Sequence, residues 1–239
     1  MDFRGLYKWA GVCAIGYAVI SLVGYFSSVA TNGAVSVTPL SPDQIWNMLQ
    51  KQGNQIAFRL DQLSYFLWIP ALVGLFAFLR DRKPGRAHLG AAFAALAVIG
   101  FFAASTLGAA MLALAQQPAT EALRERLAAF DLVSFSLVLP ALYAISVANL
   151  LWGLALRTQA GLAKTVGALF LIQVAAFVVG DAGFISRQAI LLNAGIMIHN
   201  LAIAATYATA GILLRRASVE ALEVKPIDRE RGRTVSASA

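Results

Sequence analysis

A single cysteine, Cys13, occurs in the 239 residues, so no intrachain disulfide, cysteine zinc site or redox pair can be built. Histidine is nearly as scarce. His88 and His199 stand alone, His88 at the cytoplasmic edge of its span and His199 near the bilayer centre, which argues against a two-histidine haem and leaves either without the companions a metal needs. No Walker loop, nucleophile elbow, metalloprotease helix or dinucleotide fingerprint is present, so no cofactor is implied. Charge is also thin: Asp, Glu, Lys and Arg make up 13% of the chain, against ~25% in an ordinary soluble domain. The net charge is +7. Its basic residues are not interleaved with aromatics on one soluble face, which argues against nucleic acid as a partner.

What fills the chain instead is apolar: 59% of it is hydrophobic. Uncharged runs cover 9–26, 62–79, 89–115, 132–156, 165–180 (extendable to 186) and 188–214. Each approaches or exceeds the ~20 residues a helix needs to cross the hydrocarbon. Runs this long and this free of alternation exclude barrel strands. The expected fold is therefore all-α: a polytopic membrane protein with six transmembrane helices and the lipid bilayer as its solvent. Among the basic residues only Lys51, Arg59, Arg124, Arg126 and Arg187 fall on one face, and the rest of the 19 fall on the other. By the positive-inside rule both termini are cytoplasmic. Arg4, Lys8 and Ser28-Val29-Ala30 also permit a cleavable leader, although the apolar run is longer than one needs; uncut anchoring is the expectation. The domain organisation read this way is one six-helix transmembrane domain over 1–216 and a disordered cytoplasmic tail over 217–239, where acidic and basic side chains balance. Arg215 and Arg216 end the last span by snorkelling.

Short amphipathic helices are expected on the extracytoplasmic side. Ser41-Pro42-Asp43-Gln44 combines an N-cap, a first-turn proline and a capping-box glutamine, and Ile45, Leu49 and Ile56 follow near a helical period with Trp46 beside them. A second such helix is expected after Pro118, capped by Thr120, with Leu123, Leu127 and Phe130 along one side. The second and fourth spans also open alike: Asp61, Ser64, Leu67, Pro70, Ala71 and Leu72 recur as Asp131, Ser134, Leu137, Pro140, Ala141 and Leu142. A parallel duplication of 42–115 and 118–186 is one reading, and coincidence in low-complexity apolar sequence is the other. Asp61 and Asp131 are either helix-terminal caps or candidate ligands. Pro70 and Pro140 are either packing kinks or the paired interruptions that mark a midplane site.

The fifth and sixth spans form a hairpin with its apex near Ser186 and Arg187. Counting outward from the apex puts Asp181 level with Asn193, and Gln173 level with His199 and Asn200 near the bilayer centre. Asn193, Asn200 and Tyr207 recur every seventh residue and share a helix face. An intramembrane Asp costs about 2.5 to 3.5 kcal/mol on insertion scales and reads as functional by default. Asp181 could bind a cation, take a proton, or pair with Arg187 or Asn193. Interhelical glue is the plain alternative for Gln173, Asn193 and Asn200.

The chain resembles a bacterial multi-pass membrane protein family known only as a domain of unknown function. Trp9-Ala10-Gly11, Phe58-Arg59-Leu60-Asp61, Leu79-Arg80 and the segment from Leu151-Trp152-Gly153 to Arg157 carry the likeness. It implies a six-helix protein of the bacterial inner membrane, with no catalytic residues to transfer. Two functions are expected to compete: binding or transport of a small solute, ion or lipid at an intramembrane polar site, and service as an accessory or assembly subunit with membrane-protein partners or copies of itself. An enzyme finds no nucleophile with its base and no metal constellation to work with.

Overall fold

The computed structural model describes residues 3–36, 38 and 40–223. Among them are seven helices and no strand: α1 (Phe3–Asn32), α2 (Pro42–Gln50), α3 (Gln52–Arg80), α4 (Pro84–Leu114), α5 (Glu121–Leu156), α6 (Leu162–Ile185) and α7 (Ala189–Glu223). All but α2 are long and apolar enough to cross a membrane. Helices of this composition satisfy their own backbone groups and leave apolar side chains for lipid and for one another. The six expected spans are these six helices.

Each spanning helix packs chiefly on two others, and the pairs close into a ring in the order α1, α3, α4, α5, α6, α7 and back to α1. Small residues set the closest approaches, as they do where lipid removes the hydrophobic drive between helices. A Cβ on Gly11 would lie 2.8 Å from the carbonyl oxygen of Gly211, and a Cβ on Gly211 would lie 2.7 Å from that of Gly11, so the backbones of α1 and α7 touch there. Gly195 of α7 does the same on α6, where its Cβ would stand 2.8 Å from the Ala176 carbonyl oxygen. Toward the end assigned to the cytoplasm the ring is filled by Leu75, Leu79, Leu156, Val166 and Leu214, all fully buried.

At the opposite end α2 starts where expected. Ser41 Oγ accepts from the Gln44 amide, and Gln44 Oε1 accepts from the Ser41 amide at 2.8 Å. Ile45 and Leu49 are buried against Met111, Ala115, Leu123 and Leu127, so α2 lies across the end of the bundle. Asp43 pairs with Arg124 of α5 at 2.5 Å, and Gln50 Nε2 donates to the Ala115 carbonyl at 2.7 Å. Ile56 is not part of this stripe. It belongs to α3 and is 47% exposed.

Three expectations need correction. No separate surface helix follows Pro118: Thr120 does cap, accepting from the Leu123 amide, but α5 then runs unbroken from Glu121 through the span. The corresponding break between α2 and α3 is made by side-chain amides. Asn54 Nδ2 donates to the Met48 carbonyl, which also accepts from the Lys51 amide, and Gln55 Nε2 donates to the Leu49 carbonyl, while Lys51 turns extended. No amide side chain occurs over 128–134, so nothing takes over the α5 carbonyls and the helix continues. Consequently Asp61 and Asp131 lie well inside α3 and α5 and cap neither helix. The tail reading also shortens, because α7 continues to Glu223, with Ser218 Oγ donating to the Arg215 carbonyl at 2.6 Å; 224–239 lie outside the described residues.

Candidate functional site

The ring encloses a cavity of about 650 Å³ to which all six spanning helices contribute. Such a volume suits a small organic ligand. Along α1 the lining runs from Asn32 at the outer end to Tyr17, a depth of roughly 22 Å at 1.5 Å per residue. The outer rim is knotted by polar side chains. Asn32 and Asn54 exchange two amide hydrogen bonds, at 2.5 and 3.0 Å, joining the end of α1 to the start of α3. Asn193 grips the segment after α1 in both directions: its Oδ1 accepts from the Val35 amide at 2.7 Å, and its Nδ2 donates to the Val35 carbonyl at 3.1 Å.

The floor is aromatic. Trp68 Nε1 donates to the Tyr207 hydroxyl at 2.6 Å, and Tyr17 stacks on Trp68 while meeting Tyr207 edge-on at 4.8 Å. Phe170 covers Tyr207 from below and Trp152 covers Phe170. Tyr17, Trp68 and Tyr207 are all buried, so the cavity is closed at the end away from α2.

Beside this floor lies a buried amide network. Thr206 Oγ1 donates to the Ala202 carbonyl at 2.6 Å, so its oxygen must accept from Gln173 Nε2 at 2.5 Å. That fixes the Gln173 amide, whose Oε1 accepts from Asn149 Nδ2 at 3.0 Å. Asn149 is 2% exposed and lines the cavity, yet its Oδ1 has no hydrogen-bond partner. His199 Nδ1 lies 3.0 Å from the backbone carbonyl of Gln173, which can only accept. The proton therefore sits on Nδ1 and leaves Nε2 as an acceptor in the neutral ring.

Of the residues singled out in the sequence, Asp61, Gln173, Asp181, His199 and Asn200 line this one cavity. Asp61, an exposed residue that also lines the cavity, accepts from the Tyr65 hydroxyl through Oδ2 at 2.9 Å. Asp181 is level with Asn193 but not paired with it or with Arg187; the Tyr143 hydroxyl of α5 reaches both of its oxygens at 3.0 Å. Asn200 donates to the Ile196 carbonyl of its own helix at 2.9 Å. Asn193 is used at the rim. Asp131 does not line the cavity, and neither Pro70 nor Pro140 does; α3 and α5 continue as helices through both prolines. The sequence reading missed Asn149, Tyr143, Tyr17 and Trp68. An amide in the fourth span at the depth of Gln173 was a usable signal for the first of these.

Fold and cavity together define the class: a six-span α-helical membrane protein with a polar and aromatic chamber inside its ring. Comparison with protein-family models, with curated proteins and with solved structures finds no match. Its function is accordingly argued from the chamber itself.

Proposed function

We propose that this protein binds a small amphiphilic molecule in the ring cavity, reached from the extracytoplasmic side of a bacterial inner membrane, as a receptor or as the outward-facing state of a carrier. One observation carries this: the cavity collects buried polar groups among aromatic rings, and one of those groups, Asn149 Oδ1, has its hydrogen-bond capacity unspent. Groups that served only as glue between helices would be spent on one another. Burying an unsatisfied carbonyl costs about 1 to 3 kcal/mol, which a bound donor would return. The aromatic floor separates the cavity from the cytoplasm, so passage across the membrane would require the Trp68–Tyr207 contact to open.

Native mass spectrometry on protein purified in nanodiscs tests this reading. Wild type should carry a discrete small molecule. The cavity-filling variants Ile203→Trp and Leu142→Trp, shown to melt like wild type, should lose it. Retention of the same ligand by both folded variants, or its absence from wild type at every stage of purification, overturns the proposal.

A further inference from the structure

The cavity is rich in one kind of group. Asp61 and Asp181 are carboxylates, His199 has Nε2 as an acceptor in its neutral ring, and Asn149, which also lines the cavity, carries a buried carbonyl oxygen without a partner. No Lys or Arg is among the residues that line it. Lys51, on the same end of the bundle, turns instead to the Thr31 carbonyl at 3.2 Å. The donors that do face the carboxylates are two neutral phenols, Tyr65 and Tyr143. Neither supplies a compensating positive charge.

The acceptors are also spread along the axis. Asp61 stands seven residues outward of Trp68 on α3, and Asp181 eight outward of Gln173 on α6, which places both carboxylates about 10 to 12 Å above the floor at 1.5 Å per residue. Asn149 is at the floor, bonded to Gln173. Between the two levels the lining is mainly apolar and aromatic, with Ser21 and Ser64 among it and every spanning helix contributing a ring: Tyr17, Tyr65, Phe101, Phe135, Phe177 and Tyr207 are examples. Aromatic faces attract organic cations, and a desolvated carboxylate does so more strongly.

From this placement we infer that the ligand is an elongated organic cation: a protonated amine held at the level of Asp61 and Asp181, an apolar body among the rings, and a hydrogen-bond donor at the far end that meets Asn149 Oδ1. The inference rests on the cavity being a binding site, as proposed above, and names the chemistry of its occupant. A simple metal cation fits less well, because no group of three or more His, Cys, Asp or Glu able to hold one occurs among the described residues.

Four probes of one length separate the contributions: ω-aminooctanol, octanediol with hydroxyls at both ends, ω-hydroxyoctanoate, and octylamine. Their binding to the full chain in nanodiscs is measured by equilibrium dialysis, with the Ile203→Trp variant as background. ω-Aminooctanol should bind wild type at least about tenfold more tightly than octanediol, a difference of about 1.4 kcal/mol, and ω-hydroxyoctanoate should not exceed background. Asp61→Asn and Asp181→Asn should each cost the amino alcohol about tenfold while leaving octanediol within error. Asn149→Leu should weaken ω-aminooctanol more than octylamine. Each variant is first shown to be folded at the assay temperature; if the Asn variants are not, Asp61→Glu and Asp181→Glu, which keep the charge, should restore selectivity for the amine. Equal or tighter binding of octanediol or ω-hydroxyoctanoate overturns the cation assignment while leaving the cavity a binding site. Binding of none of the four also overturns it, and the natural ligand sought by native mass spectrometry then decides the proposed function separately.

Discussion

Replacing Gln173 by Leu should destabilise the bundle strongly, and the structure gives the reason in three helices at once. Gln173 is 1% exposed and joins α5 to α7 through Asn149 and Thr206. Leucine is similar in size, so the loss is polar. Interhelical hydrogen bonds in bilayers average about 0.6 kcal/mol each, and two are lost. The larger contribution comes from Asn149, whose Oδ1 already lacks a partner; without Gln173 its Nδ2 loses its partner as well, at about 1 to 3 kcal/mol for a buried amide. The sum is about 2 to 4 kcal/mol, or a fall in melting temperature of about 4 to 16 °C for a chain of this size. Asn149→Leu loses only that one hydrogen bond and, although it strands Gln173 Oε1 in turn, it also removes the Oδ1 that already lacks a partner, so it should cost less. The double variant should then lie well short of additive, with a coupling of at least about 1 kcal/mol. Cys13 is the chain's only cysteine and is partly buried, so a thiol-reactive fluorophore reports unfolding on heating. Additive costs, or Asn149→Leu more damaging than Gln173→Leu, would refute the argument.

Gly195→Leu should lower the melting temperature by an amount equivalent to about 1 to 3 kcal/mol of overpacking, because its side chain would press on the α6 backbone at Ala176; a melt equal to wild type would count against that contact. Asn193→Ala should leave the bundle's melting temperature within about 2 °C while speeding hydrogen exchange at the Val35 amide, which donates to Asn193 Oδ1. Unchanged exchange at Val35 would mean that the rim is held by something else. Ser41→Ala should cost about 1 kcal/mol of local helix stability, seen as faster exchange at the Gln44 amide with α3 unaffected.

The six spans and the capped start of α2 were legible because both are written locally, in long uncharged runs and in the Ser41 to Gln44 cap. The start of a membrane helix is less visible. Charge-free counting begins the second and fourth spans after Asp61 and Asp131, but outside the hydrocarbon a helix tolerates Arg59 or Arg126 as readily as Leu, so both helices reach back to Gln52 and Glu121. That error turned interior aspartates into caps and suggested a surface helix that is the first turns of α5. Depth counting from the α6–α7 turn worked for Gln173 and His199, which do meet. Pairing is another matter. Which way each residue turns around its helix axis depends on how the neighbouring helices pack, so Asp181 found Tyr143 and Asn193 found Val35.

The contact between Gly11 and Gly211 has a consequence for how the protein is made. The seam it forms joins α1 to α7, so the ring stays open until α7 has been made. Until then the small-residue face of α1 and the carboxylate of Asp61 look onto lipid or onto whatever insertion machinery shelters them. A chain stopped before α7 would have five membrane helices and no chamber. Quality control that samples half-made membrane proteins would therefore meet an exposed acidic groove, and synthesis of the last helix is the step that hides it.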